Sequence, residues 1–507
     1  MKKQLERLGA WFGGRSAAAI ATTALIIAIL VVVNAVVYAL TSAFNLYLYA
    51  PAREEEPLSG NAGRLFDKVV DEGDRASIIF LSSRENIEGH STGSMVLATV
   101  EALRDSYDFI DVKFVNFYTE LDQDGNPVDL EKYQTDMKGN EVSIHPNAVI
   151  FESEYGYRLL NSVYNGVGYA DFYTLDSSGY ITSYNGEEVI SSMICWVLTP
   201  EHKTAYFTEN HSETVDPAFV NLLASAGYYV DVINLTQKEV PEDAALLVIS
   251  GPTSDFARGS GKIKIRTEIE RIEDYLDRGG DLYVALDPLV KKLPVLEEFL
   301  LEKGFALSST TDKNGTVIRN IVKDDVDAIT TDGYTFVATH AEGYVSNTIY
   351  SNISRYGSGR VLMSDVACLE LSRGAEALLL SSPSSVLYAD GERTASGGNY
   401  PVVAFNELDS SVMGDKSRIT VVASIYLTAS EALINKGYSN KDFTYSLLGT
   451  LYGAECTPYG MKELLYASSM LENFTMGTAR VIFAILMALP VALAVTGVVI
   501  IIRRRNR

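Results

Sequence analysis

Histidine and cysteine are scarce in this chain of 507 residues. It holds five histidines (His90, His145, His202, His211, His340) and three cysteines (Cys195, Cys368, Cys456). They form no HExxH and no paired CxxC, so the common zinc frameworks are excluded, and no metal or cofactor is expected. An odd number of widely spaced cysteines excludes a disulfide framework for the whole chain and leaves room for a single bridge. None of the three lies in a Gly-x-Cys-x-Gly elbow, and no serine elbow is expected either, so the chain is not expected to be an enzyme. Positive charge is also short: 42 Lys and Arg stand against 65 Asp and Glu, a net −23. Such a surface does not bind nucleic acid or an anionic bilayer face, and suits solvation or a cationic partner.

Charge is missing altogether from two long stretches. Residues 17–44 are 28 uncharged positions and residues 481–502 are 22 more. As helices they would be about 42 Å and about 33 Å long, against a hydrocarbon core of about 30 Å. The first is too long for a signal peptide, whose apolar core is about 7–15 residues. Neither carries the polar face of a buried soluble helix. Pro490 lies inside the second, where a membrane helix tolerates a kink. Ala484, Ala488, Ala492 and Ala494 let that helix approach another closely, or face lipid. Lys2, Lys3, Arg7 and Arg15 precede the first stretch, and Arg503, Arg504, Arg505 and Arg507 follow the second. The positive-inside rule then places both ends in the cytoplasm and residues 45–480 outside, in a cell membrane, with about −30 of charge on the outer part.

Between the two stretches the pattern is α/β. Residues 51–63, with two prolines and an acidic run, read as a linker. Strands are expected at 76–82, 109–117 and 147–153, and helices at 94–106 and 185–198, with 118–146 a long loop. Residues 203–308 are the most regular, in the order β-α-β-β-α-β-α. Asp216 caps a helix that opens on Pro217, and Gly227, Gly279-Gly280 and Gly304 stop helices. This alternation predicts a mostly parallel sheet with helices on both faces. Residues 309–478 read as a mixed part that completes or extends the sheet. There 337–352, 359–365, 399–408 and 417–427 are strand-like, 441–455 is helical, and the Ser/Gly-rich 381–398 is a mobile loop.

One order of motifs stands out: NGEEVISSMICWVLTPEHKTAYFTENHSE, then AGYYVDVINL, VPEDAALLVISGP and IEDYLDRGGDLYVALDP. It resembles the auxiliary component of gliding-motility-type ABC transporters. That family shows a helix opening with Gly-Glu, a strand ending in Gly-His-Gly-Glu, then a Pro, a Gly-Pro, a Gly-Gly and an Asp-Pro. Here those positions are Gly186-Glu187, Asn210-His211-Ser212-Glu213, Pro241, Gly251-Pro252, Gly279-Gly280 and Asp287-Pro288. The family's later Asn-x-Asp-Phe fits Asn440 to Phe443. The likeness is tight over 185–305 and architectural over 60–475. It implies a tandem flavodoxin- or glutamine amidotransferase-like α/β ectodomain between two transmembrane helices, without the reactive cysteine, and partnership with an ABC permease and ATPase. Both glycines around the histidine are replaced. A backbone needing positive φ accepts Asn but resists Ser, which puts any ligand of that turn in question.

The chain then divides into a cytoplasmic tail (1–16), a span (17–44), a linker (45–63), a first α/β domain (64–200), an amidotransferase-like α/β domain (201–308), a mixed α/β part (309–478), a span (481–502) and a basic tail (503–507). Candidate ligand- or partner-binding residues are Glu209, Asn210, His211, Ser212, Glu213 and Asp287, on the carboxyl edge of the sheet where open α/β folds bind ligands. The alternative is structural: Glu213 satisfying amides at the start of the next helix, and Asp287-Pro288 making a simple turn. A hydrolase using His211 and Glu213 would need a nucleophile the motifs do not supply. Cys195, mid-helix beside Trp196, reads as core. Tyr155, Tyr157, Tyr164, Tyr169, Tyr173, Tyr180 and Tyr184 suit either packing or a face for envelope glycan.

Overall fold

A computed structural model describes residues 58–136, 138–161, 168–176, 179–259, 266–312, 314–411 and 415–465. Both uncharged stretches, the tails and Tyr164 lie outside these residues. Among the described residues no helix is long and apolar enough to cross a membrane.

The described residues form a mixed α/β fold with two large sheets and four smaller ones. The first contains β1 (Ala76–Phe80), β2 (Ile110–Asn116), β3 (Val149–Glu152) and β4 (Tyr157–Leu160), in the order β2-β1-β3-β4, with a short strand Leu121–Asp122 outside β2. β1 and β2 run parallel because the helix α1 (Ser91–Ser106) carries the chain back between them; β3 and β4 are antiparallel. α1 buries Val96, Leu97, Val100 and Leu103 against this sheet, at the three-and-four spacing of an amphipathic helix. The helix α2 (Gly186–Leu198) packs on the same core.

The second sheet starts with β5 (Thr204–Thr208), α3 (Pro217–Ser225), β6 (Tyr229–Ile233), β7 (Ala244–Ser250), α4 (Glu268–Asp277), β8 (Asp281–Ala285) and α5 (Pro294–Glu302), the order expected from the sequence. The later strands are β9 (Thr335–His340), β10 (Val361–Ser364), β11 (Glu376–Leu380), β12 (Pro401–Asp409) and β13 (Lys416–Val422). All nine strands form one sheet, β10-β9-β11-β12-β13-β8-β7-β5-β6. The half from β6 to β13 is parallel and the half from β13 to β10 is antiparallel. The expectation of a mostly parallel sheet therefore holds for residues 204–285 and gives way beyond them, because hairpin-type returns replace helical crossovers. One apolar core runs under both halves.

Two local readings are corrected. Strand was expected through residue 352, but Tyr344–Ser354 is a helix, α6; it buries only Ser346, Ile349 and Ile353, too narrow a stripe to reveal its period. The Ser/Gly-rich 381–398 is not a mobile loop. Strands Val386–Ala389 and Glu392–Ser396 pair as a hairpin, and the buried Asp324 carboxylate accepts bonds from Ser382 (2.5 Å) and Ser384 (3.0 Å). Cys195 lies in the core as read, and it forms the single bridge the cysteine count left room for, to Cys456, 261 residues away; Cys368 is free and buried.

The final helix of the described chain, α7 (Asn440–Leu451), explains its own motif. The buried Asn440 side chain takes the Leu362 amide at 2.9 Å and donates to the Leu362 carbonyl at 2.8 Å, fastening α7 to β10. Phe443 is fully buried in the core.

Candidate functional site

β5 ends at Thr208 on the carboxyl edge, and the chain turns there through Glu209 to Glu213. Asn210 and Ser212 take φ values of 89° and 55°. The left-handed backbone that glycine would supply is thus kept at both positions, at an energetic cost for Ser212. This turn drives the His211 side chain inward, to 4 % exposure, while Glu209, Asn210 and Ser212 face solvent.

Two carboxylates hold the imidazole. Nδ1 lies 3.3 Å from Glu213 Oε1, and Nε2 lies 3.1 Å from Glu268 Oε1. The Glu213 side chain also accepts the His211 amide at 2.7 Å, and Glu268 accepts the Ala257 amide at 2.8 Å. The ring stacks on Phe256 at 3.9 Å, nearly parallel. The His211 carbonyl takes the amides of Thr253 (2.8 Å) and Ser254 (3.1 Å), just after Gly251-Pro252. Gly251 has φ 57°, and a Cβ there would press on Ile425 and Thr214.

Burial alone would lower the His211 pKa, but the hydrogen bonds and charges of Glu213 and Glu268 outweigh it and raise it to about 9. Burial likewise works to raise both glutamates, and the imidazolium overrides it and holds them below the usual carboxylate range. At neutral pH the centre is a carboxylate–imidazolium–carboxylate triad, partly offset by the N-terminus of α4, whose first residue is Glu268.

Glu213 therefore does not serve the next helix as expected. Asp216 caps α3 through the Ala218 amide at 2.8 Å, and Glu213 turns back to His211. Asp287 does not join the cluster. It sits two strands along the edge, accepting the Leu289 amide at 2.8 Å, and Arg319 reaches the carbonyls of Asp287 (3.3 Å) and Pro288 (3.4 Å). That is the turn reading. Gly279, with φ 90°, ends α4, and a Cβ on Gly280 would overlap the Tyr275 ring.

Sequence reasoning missed Phe256 and Glu268, which no spacing ties to His211. It also missed a match to Gly-x-Ser-x-Gly at Gly89-His90-Ser91-Thr92-Gly93. This is not a nucleophile elbow: Ser91 opens α1 in ordinary helical backbone and follows the short helix Arg84–Glu88 instead of a strand.

The Gly186-Glu187 motif has a separate role. A Cβ on Gly186 would collide with the Tyr184 ring. Glu187 is fully buried and accepts the Ser59 amide (2.9 Å), the Ser59 hydroxyl (2.8 Å) and the Lys462 amide (2.6 Å). Burial raises its pKa, against the pull of those bonds. Around it Asn61 donates to the Gly460 carbonyl at 2.6 Å, Arg64 donates to the Tyr459 carbonyl at 2.6 Å and lies over the Tyr459 ring, and Leu464–Leu465 pairs with the strand Ile181–Tyr184. Residues 58–63, expected as linker, are docked here instead.

No protein-family model matches the chain, and no curated protein matches it. Among solved structures, an "mmIFT52 N-terminal domain" is similar at 16 % identity and TM-score 0.36, covering 49 % of this chain and 97 % of that one. A putative ThuA-like protein from Bacteroides uniformis has 10 % identity and TM-score 0.30, covering 51 % and 94 %. PurLQS from Thermotoga maritima has 11 % identity and TM-score 0.26, covering 49 % and 99 %.

The tyrosine-rich stretch does not form an open stacking face. Tyr169, Tyr173 and Tyr184 are buried, with the Tyr173 hydroxyl on the Thr92 carbonyl at 2.7 Å and the Tyr184 hydroxyl 2.6 Å from Thr99 Oγ1. Tyr155 bonds Asp74, and only Tyr180 among the described ones is widely exposed.

Proposed function

We propose that this chain is a membrane-anchored accessory subunit of an ABC transporter, with a non-catalytic extracytoplasmic domain that recognises a substrate or a partner subunit. The observation that carries the reading is the fastening at Glu187. Residues 59–64 and 459–465, which lead toward the two uncharged stretches, are tied side by side on α2. This supports a domain seated on two neighbouring membrane helices, one on each side of a permease contact. The Cys195–Cys456 bond supports an oxidising compartment for the folded part.

The His211 centre supports a structural and recognition role over a catalytic one. Both ring nitrogens face carboxylates, so the imidazolium has no lone pair with which to take a proton from a nucleophile. Its neighbours Glu209, Asn210 and Ser212 are the exposed part of the loop and the part a partner subunit would touch.

The test is affinity purification of the tagged full-length protein from native membranes in mild detergent, with mass spectrometry of what accompanies it. Recovery of an ABC ATPase together with a multi-span permease is expected. Their reproducible absence, with the bait intact, overturns the reading.

A further inference from the structure

A cavity of about 720 Å³ lies between the two α/β units. One wall is β4 and the loop containing Asp136 and Lys138; the other is β6 and the end of α3. A second cavity of about 320 Å³ adjoins it on the side of α7, and Arg158 and Ala224 line both. A volume of this size accommodates a ring-bearing small molecule.

Arg158 is the unusual group in this cleft. Its side chain rises from β4, and its guanidinium donates to the Ala224 carbonyl at 3.2 Å. No carboxylate among the described residues lies within ion-pair distance of it, in a chain where acids outnumber bases 65 to 42. The nearby acids are engaged elsewhere. Asp136 accepts the amides of Lys138 (2.9 Å) and Asn140 (2.8 Å) and the Asn140 side chain (2.9 Å). Asp231 pairs with Lys138 at 3.4 Å and accepts the Val232 amide. Across the second cavity, Glu188 pairs with Lys441.

The walls around the guanidinium are aromatic. Arg158 lies 4.8 Å from the centre of the Trp196 ring. His202 stacks on Trp196 at 3.7 Å, and Tyr229 meets both rings edge-on. Burial drives the His202 pKa down to about 4, so this imidazole is neutral at pH 7 and adds no charge. Burial also lowers the Arg158 pKa, the mark of a cation stripped of water without a counter-ion. A planar guanidinium with free donors, set against aromatic faces, matches a carboxylate or phosphate carried on a ring.

We propose that the cleft between the two α/β units is a binding site for a sugar-like ligand bearing a carboxylate or phosphate, with Arg158 as its anion-binding residue. The site is independent of the His211 loop and of the transporter assignment.

Trp196 makes the test direct. The sequence holds two tryptophans, Trp11 and Trp196, so Trp11→Phe leaves a single reporter inside the cleft. The full-length Trp11→Phe protein in detergent is titrated with glucuronate, with glucose 1-phosphate and with glucose, at constant ionic strength in chloride. The expected result is a saturable change in Trp196 emission with one or both anionic sugars below ~10 mM and none with glucose. Saturation by glucuronate alone identifies a sugar acid, and by the phosphate alone a sugar phosphate. Arg158→Lys is expected to weaken binding and Arg158→Met to weaken it by at least about tenfold. Circular dichroism checks that both variants fold; if Arg158→Met does not, Arg158→Lys carries the comparison. No saturable response to either anion, an equal response to glucose, or affinity unchanged in Arg158→Lys and Arg158→Met overturns the proposal.

Discussion

The His211 centre makes the stability of the protein depend on pH in one definite direction. The imidazole pKa is raised from 6.5 to about 9: burial works against this, and Glu213 and Glu268 prevail. A group with a higher pKa in the folded chain binds its proton more tightly there. Its contribution is therefore complete below pH 6.5 and is lost as the pH climbs through about 9. At 1.36 kcal/mol per pH unit the ceiling is about 3.4 kcal/mol, and sharing of charge within the triad and screening at the open side of the loop reduce the expected loss to about 1–2 kcal/mol. Asp281, whose pKa burial raises to about 7, loses its own contribution between 3.8 and about 7, below this window. Urea unfolding of the wild type and of Glu268→Gln, compared from about pH 7.5 to 10, isolates the effect, because background titrations are shared. The wild type loses about 1–2 kcal/mol across the interval, and Glu268→Gln loses less, starting at lower pH, since Glu213 alone then holds the proton. A wild-type midpoint that stays flat, or the same slope in both proteins, refutes the reasoning.

Other predictions rest on single residues. Ser212→Gly relieves a left-handed serine and stabilises the fold by about 0.5–1 kcal/mol after the extra entropy of glycine in the unfolded chain, read as a raised urea midpoint. Cys456→Ser removes a bridge spanning 261 residues; loop entropy gives about 5–6 kcal/mol, native bridges commonly return about 2–5 kcal/mol, and unfolding with and without reductant measures the difference. Glu187→Ala leaves the Ser59 and Lys462 amides without their acceptor and costs about 1–3 kcal/mol; cleavage by limited proteolysis near residues 58–64 should accelerate in the same variant and recover in part with Glu187→Gln.

The sequence revealed most where local signals agree. Between 204 and 302, Asp216 and Pro217 open α3, Gly279-Gly280 closes α4, and the apolar runs of β5, β7 and β8 are those of strands covered on both faces. It revealed least where structure comes from distant partners. α6 is built of Tyr, Val, Ser, Asn, Thr and Ile and becomes a helix through its packing. The serines at 382 and 384 look mobile until Asp324, far away in sequence, collects them. The same holds at the site. His211 and Glu213 could be picked out because they are neighbours. Glu268 lies 57 positions farther on and meets His211 only because β5 and β7 pair and the chain after β7 folds back before α4. The disulfide partner of Cys195 was equally hidden, since residue 456 reaches α2 only after both sheets are in place.

The position of β13 fixes an order of events during synthesis. β8 pairs on one side with β7, made just before it, and on the other with β13, whose first residue is Lys416. The intervening 130 positions emerge over on the order of 10 s at about 5–20 residues per second, and throughout that time the β8 edge offers unpaired amides and carbonyls. Cys368 also precedes Cys456 in the chain, so a second thiol is made before the native partner of Cys195. In the finished fold neither hazard remains: β13 covers the open edge, Cys368 is buried in the core, and Cys195 is joined to Cys456.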